Sequence, residues 1–385
     1  MKTRAAVTWG VGQDWKVEDV DLGELGPSEV LVKTAYAGLC HSDEHLVTGD
    51  LDVPAEMLEL IGVEHFHPII GGHEGSGVVL EVGSAVSSVQ PGDHVSCSFI
   101  PSCGRCHWCS TGRQNLCDLG AATLAGGMIS SGEYKHHTDE GKPLNRMAQL
   151  GTFAEHMLLD ESSVIKVDND LPLDVVCLVS CGVATGVGSA QNRAEVKAGD
   201  TVVVVGIGGI GANAVQGAKL AGAANIVAVD TNPDRREKAE EFGATHFYTD
   251  MGEATLAVME MTHGIMADSA ILTPGVTTGD MIDPAVSIVS KDGTVVVTGL
   301  APMEQREVNL DLFSLSMYNK QIKGSIFGSG SPRSEIPRLL NEYRRGALKL
   351  DELITQRYSL DEINNGYQDM RDGKNIRGVI EFSQD

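Results

Sequence analysis

Hydrophobic and polar positions alternate in short runs over residues 1–100, and each run closes on a turn signal. Residues 29–33, after Gly26 and Pro27, read as a half-buried strand. Residues 75–82 and 94–99 read the same way, the latter entered through Pro91, Gly92 and Asp93. This is antiparallel β texture. Residues 101–150 are rich in Gly, Cys and polar side chains and read as loop, with strand returning at 151–159. Residues 172–189 are small and apolar and predict a helix. From about residue 190 the pattern changes to strand–helix alternation: strands at 201–205, 226–229, 246–249, 268–272 and 294–298, with helices at 212–220, 234–242 and near 280–290. From about 325 the chain leaves this sheet and ends in a helix at 335–345 and a strand at 378–382. No internal repeat and no long linker interrupts it. The class is α/β: a β-rich part plus a doubly wound parallel sheet.

The densest signal lies at 201–230. Five β-branched residues, Thr201 to Val205, predict a fully buried strand. Gly206, Gly208 and Gly211 then satisfy G-x-G-x-x-G, with Gly209 and Ile210 in the same loop, and the second strand runs into Asp230. The three glycines suit a tight turn, a close approach of backbone to pyrophosphate, and close helix–strand packing. The helix N-terminus offers free N–H groups to phosphate. Asp230 suits a ribose diol and repels a 2′-phosphate, which favours NAD. Arg235 and Arg236 leave NADP open on this reading alone.

Length and charge narrow the class. At 385 residues the chain can form two domains with sizeable cores. A formal charge of −24, from 29 basic and 53 acidic residues, excludes nucleic acid and anionic membranes as partners. No leader pattern and no bilayer-length apolar run is evident, so a cytoplasmic location is expected. In that compartment eight cysteines point to metal or catalysis before disulfides. Cys103, Cys106, Cys109 and Cys117 stand at C-x2-C-x2-C-x7-C. Four thiolates from one loop close a tetrahedral zinc shell with no place for substrate, hence a structural metal. An iron–sulfur cluster is the rival, although the fourth cysteine is distant and lacks a following proline.

A second, scattered set comprises Cys40, His73 and Cys181. Two thiolates and an imidazole bind zinc with a fourth position open. Taken singly, Cys181 equally fits an inert core cysteine and His73 a turn histidine. The surrounding segments resemble the zinc-dependent medium-chain alcohol dehydrogenases. G-L-C-H-S-D-E-H-L-V-T-G at 38–49, G-G-H-E-G at 71–75, the four-cysteine loop, S-C-G-V-A-T-G-V-G at 180–188, the glycine loop and I-R-G-V-I at 376–380 carry the likeness from end to end. F-I-P-S-C-G at 99–104, R-Q-N-L-C-D-L-G-A at 113–121, L-G-T-F at 150–153 and N-G-Y-Q-D-M at 365–370 resemble its nicotinoprotein branch, which uses nitrosodimethylaniline as artificial acceptor.

The resemblance implies a GroES-like catalytic domain at 1–184, with a structural zinc lobe at 97–118, and a return to it at 326–385. A Rossmann domain at 185–325 lies between, with the site in the intervening cleft. It implies two zinc ions per chain. Cys40, His73 and Cys181 bind the catalytic one, Glu74 stands behind it, and Asp43 orients His73 through the other ring nitrogen. Ser42 and His45 carry the alcohol proton outward. From the residues alone, Ser42 also reads as a helix N-cap. His41, where many members have Arg, and Arg377 face the pyrophosphate. Thr185 packs under the nicotinamide, and Arg235 contacts the adenosine ribose, which turns it away from an NADP role.

The implied reaction is oxidation of a small-molecule alcohol to an aldehyde or ketone, and its reverse, by hydride transfer to NAD. In the nicotinoprotein branch NAD(H) stays bound and is re-oxidised by a second substrate or by an artificial or protein acceptor. A homodimer through 300–317 is expected, with tetramers also known in the family. Two rivals stand beside this: a thiol-dependent formaldehyde dehydrogenase, and a redox or metal sensor without turnover. The relay pair Ser42 and His45 argues against the sensor. Residues 51–69 form a longer connection than is usual in the family, and it is expected to shape the substrate mouth. It adds His65 and His67, either of which could compete with His73 for metal, although only His73 has the Gly-His-Glu setting. Residues 125–150, with His136 and His137, read as a surface loop near the substrate channel. Cys97 and Cys177 read as core.

Overall fold

The ten-residue strand Glu29–Gly38 is the hub of the first of two units. It pairs antiparallel with Gly75–Val82, His156–Asp160 and Arg377–Glu381. The sheet continues outward through His94–Cys97 to Val164–Val167 on one side and to Ile354–Tyr358 on the other. Its inward positions, among them Val30, Val32, Val79, Val95, Met157 and Leu159, pack with Cys97 into one core. Cys97 is fully buried, and burial pushes its thiol up to about 12. The computed structural model describes residues 1–61, 63, 65–122 and 126–384. Residues 62 and 64 of the connection at 51–69, and residue 125, lie outside the described set.

The units comprise Met1–Cys181, Ser331–Tyr343 and Leu350–Asp385, and Gly182–Gly330 with Arg344–Lys349. The chain therefore crosses after Cys181 and Gly330, where the sequence places the crossings after 184 and 325.

Residues 126–150 differ from the surface loop expected of them. Two short strands form there, His136–Thr138 and Asn145–Arg146. They extend a second sheet, ordered His136–Thr138, Lys16–Leu22, Lys2–Thr8, Ile69–Ile70, Asn145–Arg146. Each covers an edge that would otherwise present unpaired backbone groups. His136 is buried, and burial, then the nearby Arg146 guanidinium, holds its imidazole well below its usual value. The segment is also fastened to the hub strand. Lys135 Nζ donates to Glu29 Oε2 at 2.8 Å and Ser130 Oγ to Oε1 at 2.6 Å.

The helical run Leu173–Arg193 corrects another expectation. It is long and apolar enough by composition to cross a bilayer, but 89% of its apolar window is buried inside the fold. It is core, not a span.

The second unit is a six-stranded, wholly parallel sheet, ordered His246–Tyr248, Asn225–Val229, Thr201–Val205, Ala267–Leu272, Val289–Val297, Gln321–Gly324. Val203, Val227, Val229, Ala270 and Val295 are buried in its core, as a sheet covered on both faces requires. The strand Val289–Val297 begins earlier than the alternation suggests, so the preceding helix, Ile282–Ile288, ends short of the predicted 290.

Removing Lys135 tests the anchoring of residues 126–150. Burial raises the Glu29 carboxyl, but Lys135, Ser130 and the Gly26 N–H outweigh it and hold the carboxyl below its usual value. Its contribution to stability is therefore present above the unfolded-state value and lost as pH falls through the depressed folded one. Lys135→Met should cost about 3 kcal/mol at neutral pH, because it strands a buried charge. Urea titration should find that this loss shrinks as acid protonates Glu29.

Candidate active site and metal centres

Three chain segments bring the scattered set together in the first unit. Cys40 follows the hub strand in extended conformation and precedes the helix His41–Thr48. It makes no side-chain capping bond, so its thiol is not spent on the helix end. Ser42 lies inside the first turn, not at the N-cap position expected of it. Its Oγ is 3.8 Å from Cys40 Sγ. His73 follows Gly72, whose φ of +90° makes the turn. A side chain on Gly72 would strike the Phe153 backbone nitrogen at 2.6 Å. Cys181 sits in one turn of π-helix, Val179–Val183, a geometry frequent at functional sites.

Ligand atoms of Cys40, His73, Glu74 and Cys181 all lie within 4.8 Å of one another, and all four residues are buried. His73 Nδ1 lies 2.9 Å from Asp43 Oδ2, and the Gly72 N–H donates to Asp43 Oδ1 at 2.8 Å. Nδ1 being committed there, Nε2 is the nitrogen available to a metal. Glu74 Oε2 forms a buried ion pair with Arg377, whose guanidinium also donates to the Leu39 carbonyl at 3.1 Å. Arg377 is thus inside the cluster, braced against Glu74.

The electrostatics are those of a cation site. The Cys181 thiol hydrogen-bonds to Cys40, which holds Cys40 well below its usual value against burial, with His73 helping. Cys181, as the donor of that bond, is pushed up. Burial alone would depress His73, but Asp43 and the Cys40 thiolate hold it well above its usual value. Burial raises Glu74 to about 7 despite Arg377. Acids and thiols that share protons in this way favour a bound dication, which replaces the protons.

The four-cysteine loop is a separate centre. Cys103 and Cys109 sulfurs stand 3.9 Å apart, and those of Cys106 and Cys117 4.0 Å. A single zinc with bonds of about 2.3 Å sets a tetrahedral S···S edge of about 3.8 Å. A cluster would spread the thiolates further, since each binds a different iron, so the spacing decides for one ion. Backbone N–H groups of Asp118 and Cys109 aimed at Cys106 lower its thiol to about 6. Among the described residues His65 and His67 join neither centre, and His65 is exposed.

The second unit carries the dinucleotide features. Gly206 has φ +88°, and a Cβ on Gly211 would lie 1.8 Å from the Gly206 carbonyl oxygen. A Cβ on Gly208 would meet nothing within 4 Å, so the backbone there is open to a ligand. Gly209 and Ile210 begin the helix Gly209–Ala221, whose N-terminal amides face that opening's end of the sheet. Asp230 Oδ2 accepts from the Ile207 N–H at 2.6 Å and Oδ1 from Asn232 at 2.9 Å. Each oxygen keeps a second lone pair for a ribose hydroxyl. Arg235 closes the turn Pro233–Arg235. Thr185 Oγ1 is buried without a hydrogen-bond partner, an orphan that a ligand would satisfy. His41, back in the first unit, is held below its usual value by burial and then by His45.

Two family models match the chain: the alcohol dehydrogenase GroES-like domain over residues 26–169 and the zinc-binding dehydrogenase domain over 209–345. Over its full length the chain is 50% identical to the NDMA-dependent alcohol dehydrogenase of Amycolatopsis methanolica, covering all of that protein. It is 49% identical to the putative alcohol dehydrogenase D of Mycobacterium tuberculosis, with 99% of this chain and 100% of that protein covered. The benzyl alcohol dehydrogenase of Acinetobacter calcoaceticus superposes with a TM-score of 0.85 at 30% identity, covering both chains completely. The chain belongs to the zinc-dependent medium-chain alcohol dehydrogenases.

For this alcohol dehydrogenase the sequence missed two partners. Asp50 contacts His45, at 3.0 Å from Nδ1, and was not singled out. The signal was present in the Thr-Gly-Asp run that closes the helix. Arg377 carried no sign of Glu74, 303 positions away.

Metal analysis should find two zinc ions per chain. Cys181→Ser should retain about one and keep the fold, while Cys109→Ser should lose the other and lower the thermal midpoint, since that loop has little apolar content to hold it.

Proposed function

We propose that this enzyme oxidises alcohols to aldehydes or ketones, and catalyses the reverse, with Cys40, His73 and Cys181 as the ligands of its catalytic zinc. The convergence of two thiols and one Asp-held imidazole in a buried pocket is the observation that carries this reading. Zinc held there supplies Lewis acidity that lowers the pKa of an alcohol hydroxyl, and NAD supplies the hydride acceptor. Asp43 keeps His73 in the tautomer that presents Nε2. Glu74 and Arg377 balance charge behind the thiols. Ser42 accepts the hydroxyl proton, and His45 delivers it towards water. Asp230 binds the ribose diol, the loop Gly206–Gly211 takes the pyrophosphate, Arg235 covers the adenosine ribose, and Thr185 supports the nicotinamide. His41 and Arg377 add positive charge for the pyrophosphate, His41 only when protonated.

The 50% identity to an NDMA-dependent enzyme supports a resident NAD(H), re-oxidised in place by a second substrate or acceptor. The protein acts in the cytoplasm as a homodimer. The exposed edge strand Gln321–Gly324 and the exposed Leu312, Phe313, Met317 and Ile322 favour that assembly.

Desalted protein, once denatured, should release NAD(H) near one equivalent per chain and turn over benzyl-type alcohols with nitrosodimethylaniline and no added NAD. An empty supernatant with ordinary NAD-dependent turnover would refute residency. Activity on formaldehyde only when a thiol is present would replace alcohol oxidation by the thiol-dependent reaction.

A further inference from the structure

The helix His41–Thr48 does not simply stop. It ends at Gly49, with φ 90°, and the chain curls back over its last turn. The N–H groups of Gly49 and Leu51 both donate to the His45 carbonyl, at 3.1 and 3.2 Å, and Asp52 N–H donates to Gly49 O at 3.0 Å. The reversal is packed from below, because a Cβ on Gly49 would lie 2.9 Å from Val11 Cγ1. Gly12 N–H also donates to the Val47 carbonyl at 2.7 Å. This turn returns Asp50 to the side chain of His45, which is 2% exposed. Asp50 Oδ2 lies 3.0 Å from His45 Nδ1 and 2.6 Å from Thr48 Oγ1.

The direction of the hydrogen bond follows from the chemistry of the partners. The Thr48 hydroxyl and then His45 hold the Asp50 carboxyl below its usual range, so it is ionised near neutral pH. An ionised carboxylate only accepts, and therefore Nδ1 must carry the hydrogen. In water a neutral histidine favours the opposite tautomer. Among the described residues, the charged and titratable groups around this ring include Asp50, the neighbouring Glu44, and His41, whose ring centroid is 5.4 Å away at 62°.

We propose that Asp50 is a positioning residue for proton transfer: its carboxylate holds the Nδ1–H of His45, which leaves Nε2 of the neutral ring as the proton acceptor. The proposal rests on the reading of Ser42 and His45 as the relay. A proton arriving from the Ser42 side enters on Nε2 and leaves from Nε2 to water. Asp50 stays ionised throughout and stabilises the imidazolium between those steps, the division of roles seen wherever a carboxylate holds a histidine base. No electrons move and no bond other than N–H forms or breaks.

Ring nitrogen-15 shifts of the zinc-loaded protein read the tautomer directly, independent of turnover. The chain has 12 histidines, and His45→Gln identifies the signal by its loss. In the wild-type protein the neutral ring should carry its proton on Nδ1. Asp50→Ala should move it to Nε2 and lower the titration midpoint of His45 by about one pH unit, as expected on removing a nearby opposite charge. Asp50→Asn should keep the Nδ1–H, through its amide oxygen, yet show the same downward shift. In steady state Asp50→Ala should reduce kcat about tenfold, part of what a general base contributes, with KM for the alcohol unchanged. The acid limb of its pH profile should move to lower pH. Asp50→Ala should add nothing in a His45→Gln background. A wild-type ring protonated on Nε2, or Asp50 variants with unchanged tautomer and pH profile, would overturn the proposal. If His45→Gln itself leaves the pH profile unaltered, the relay reading fails first and the role of Asp50 fails with it.

Discussion

The buried ion pair between Glu74 and Arg377 is the constraint on which the metal pocket depends. The pocket concentrates two thiols and two carboxylates, from Cys40, Cys181, Glu74 and Asp43, away from water. An uncompensated charge in such a place costs several kcal/mol. Arg377 and His73 are the cations set against that charge. The Arg377 side chain also holds the Leu39 carbonyl, one residue before the first thiol, so the brace is geometric as well as electrostatic. Glu74 near 7 and a proton shared between Cys40 and Cys181 indicate that the protein alone does not fully balance the set. Zinc fits both the sulfur and nitrogen donors of this set and their spacing.

The two units solve different binding problems with different parts of the chain. In the second, the features suited to a dinucleotide are mostly backbone: a left-handed glycine, an open glycine, a glycine forced by contact with a carbonyl, and a helix end. One side chain, Asp230, is fastened to the loop and aimed by it. In the first unit, recognition is by side chains whose aim comes from their neighbours. The eight-residue helix His41–Thr48 carries Ser42, the His73 partner Asp43, and His45 within two turns. Ser42 and His45 stand three residues apart, hence on neighbouring positions of one face. The backward turn at Gly49 adds Asp50 to that face's last member.

The four-cysteine loop and the segment at 126–150 illustrate two ways of holding a stretch with little apolar content. The first gathers sulfur at the spacing of one ion. The second borrows backbone pairing from two sheet edges and ties Lys135 and Ser130 to a buried Glu29. Both leave the chain well placed without a hydrophobic core of their own.

What the sequence determined by itself was whatever depends on near neighbours. The strand at 75–82 was legible from its alternation and turn signals, the tight glycine turn after residues 201–205 from three glycines, and the gathering of four sulfurs from four cysteines in fifteen positions. Each is set by local sterics or short-range spacing. What only the tertiary structure decided involves partners far apart in the chain. Residues 136–138 and 145–146 became strands because sheet edges from residues 16–22 and 69–70 were waiting for them. The apolar run at 173–193 became core, since apolarity alone does not say whether lipid or protein covers a helix. Ser42 lost its capping place to Cys40, as the preceding strand fixes where the helix begins. Cys40, His73 and Cys181 were visible as ligand types, but their meeting point, and the guanidinium that makes their burial tolerable, exist only once the two ends of the chain share one sheet.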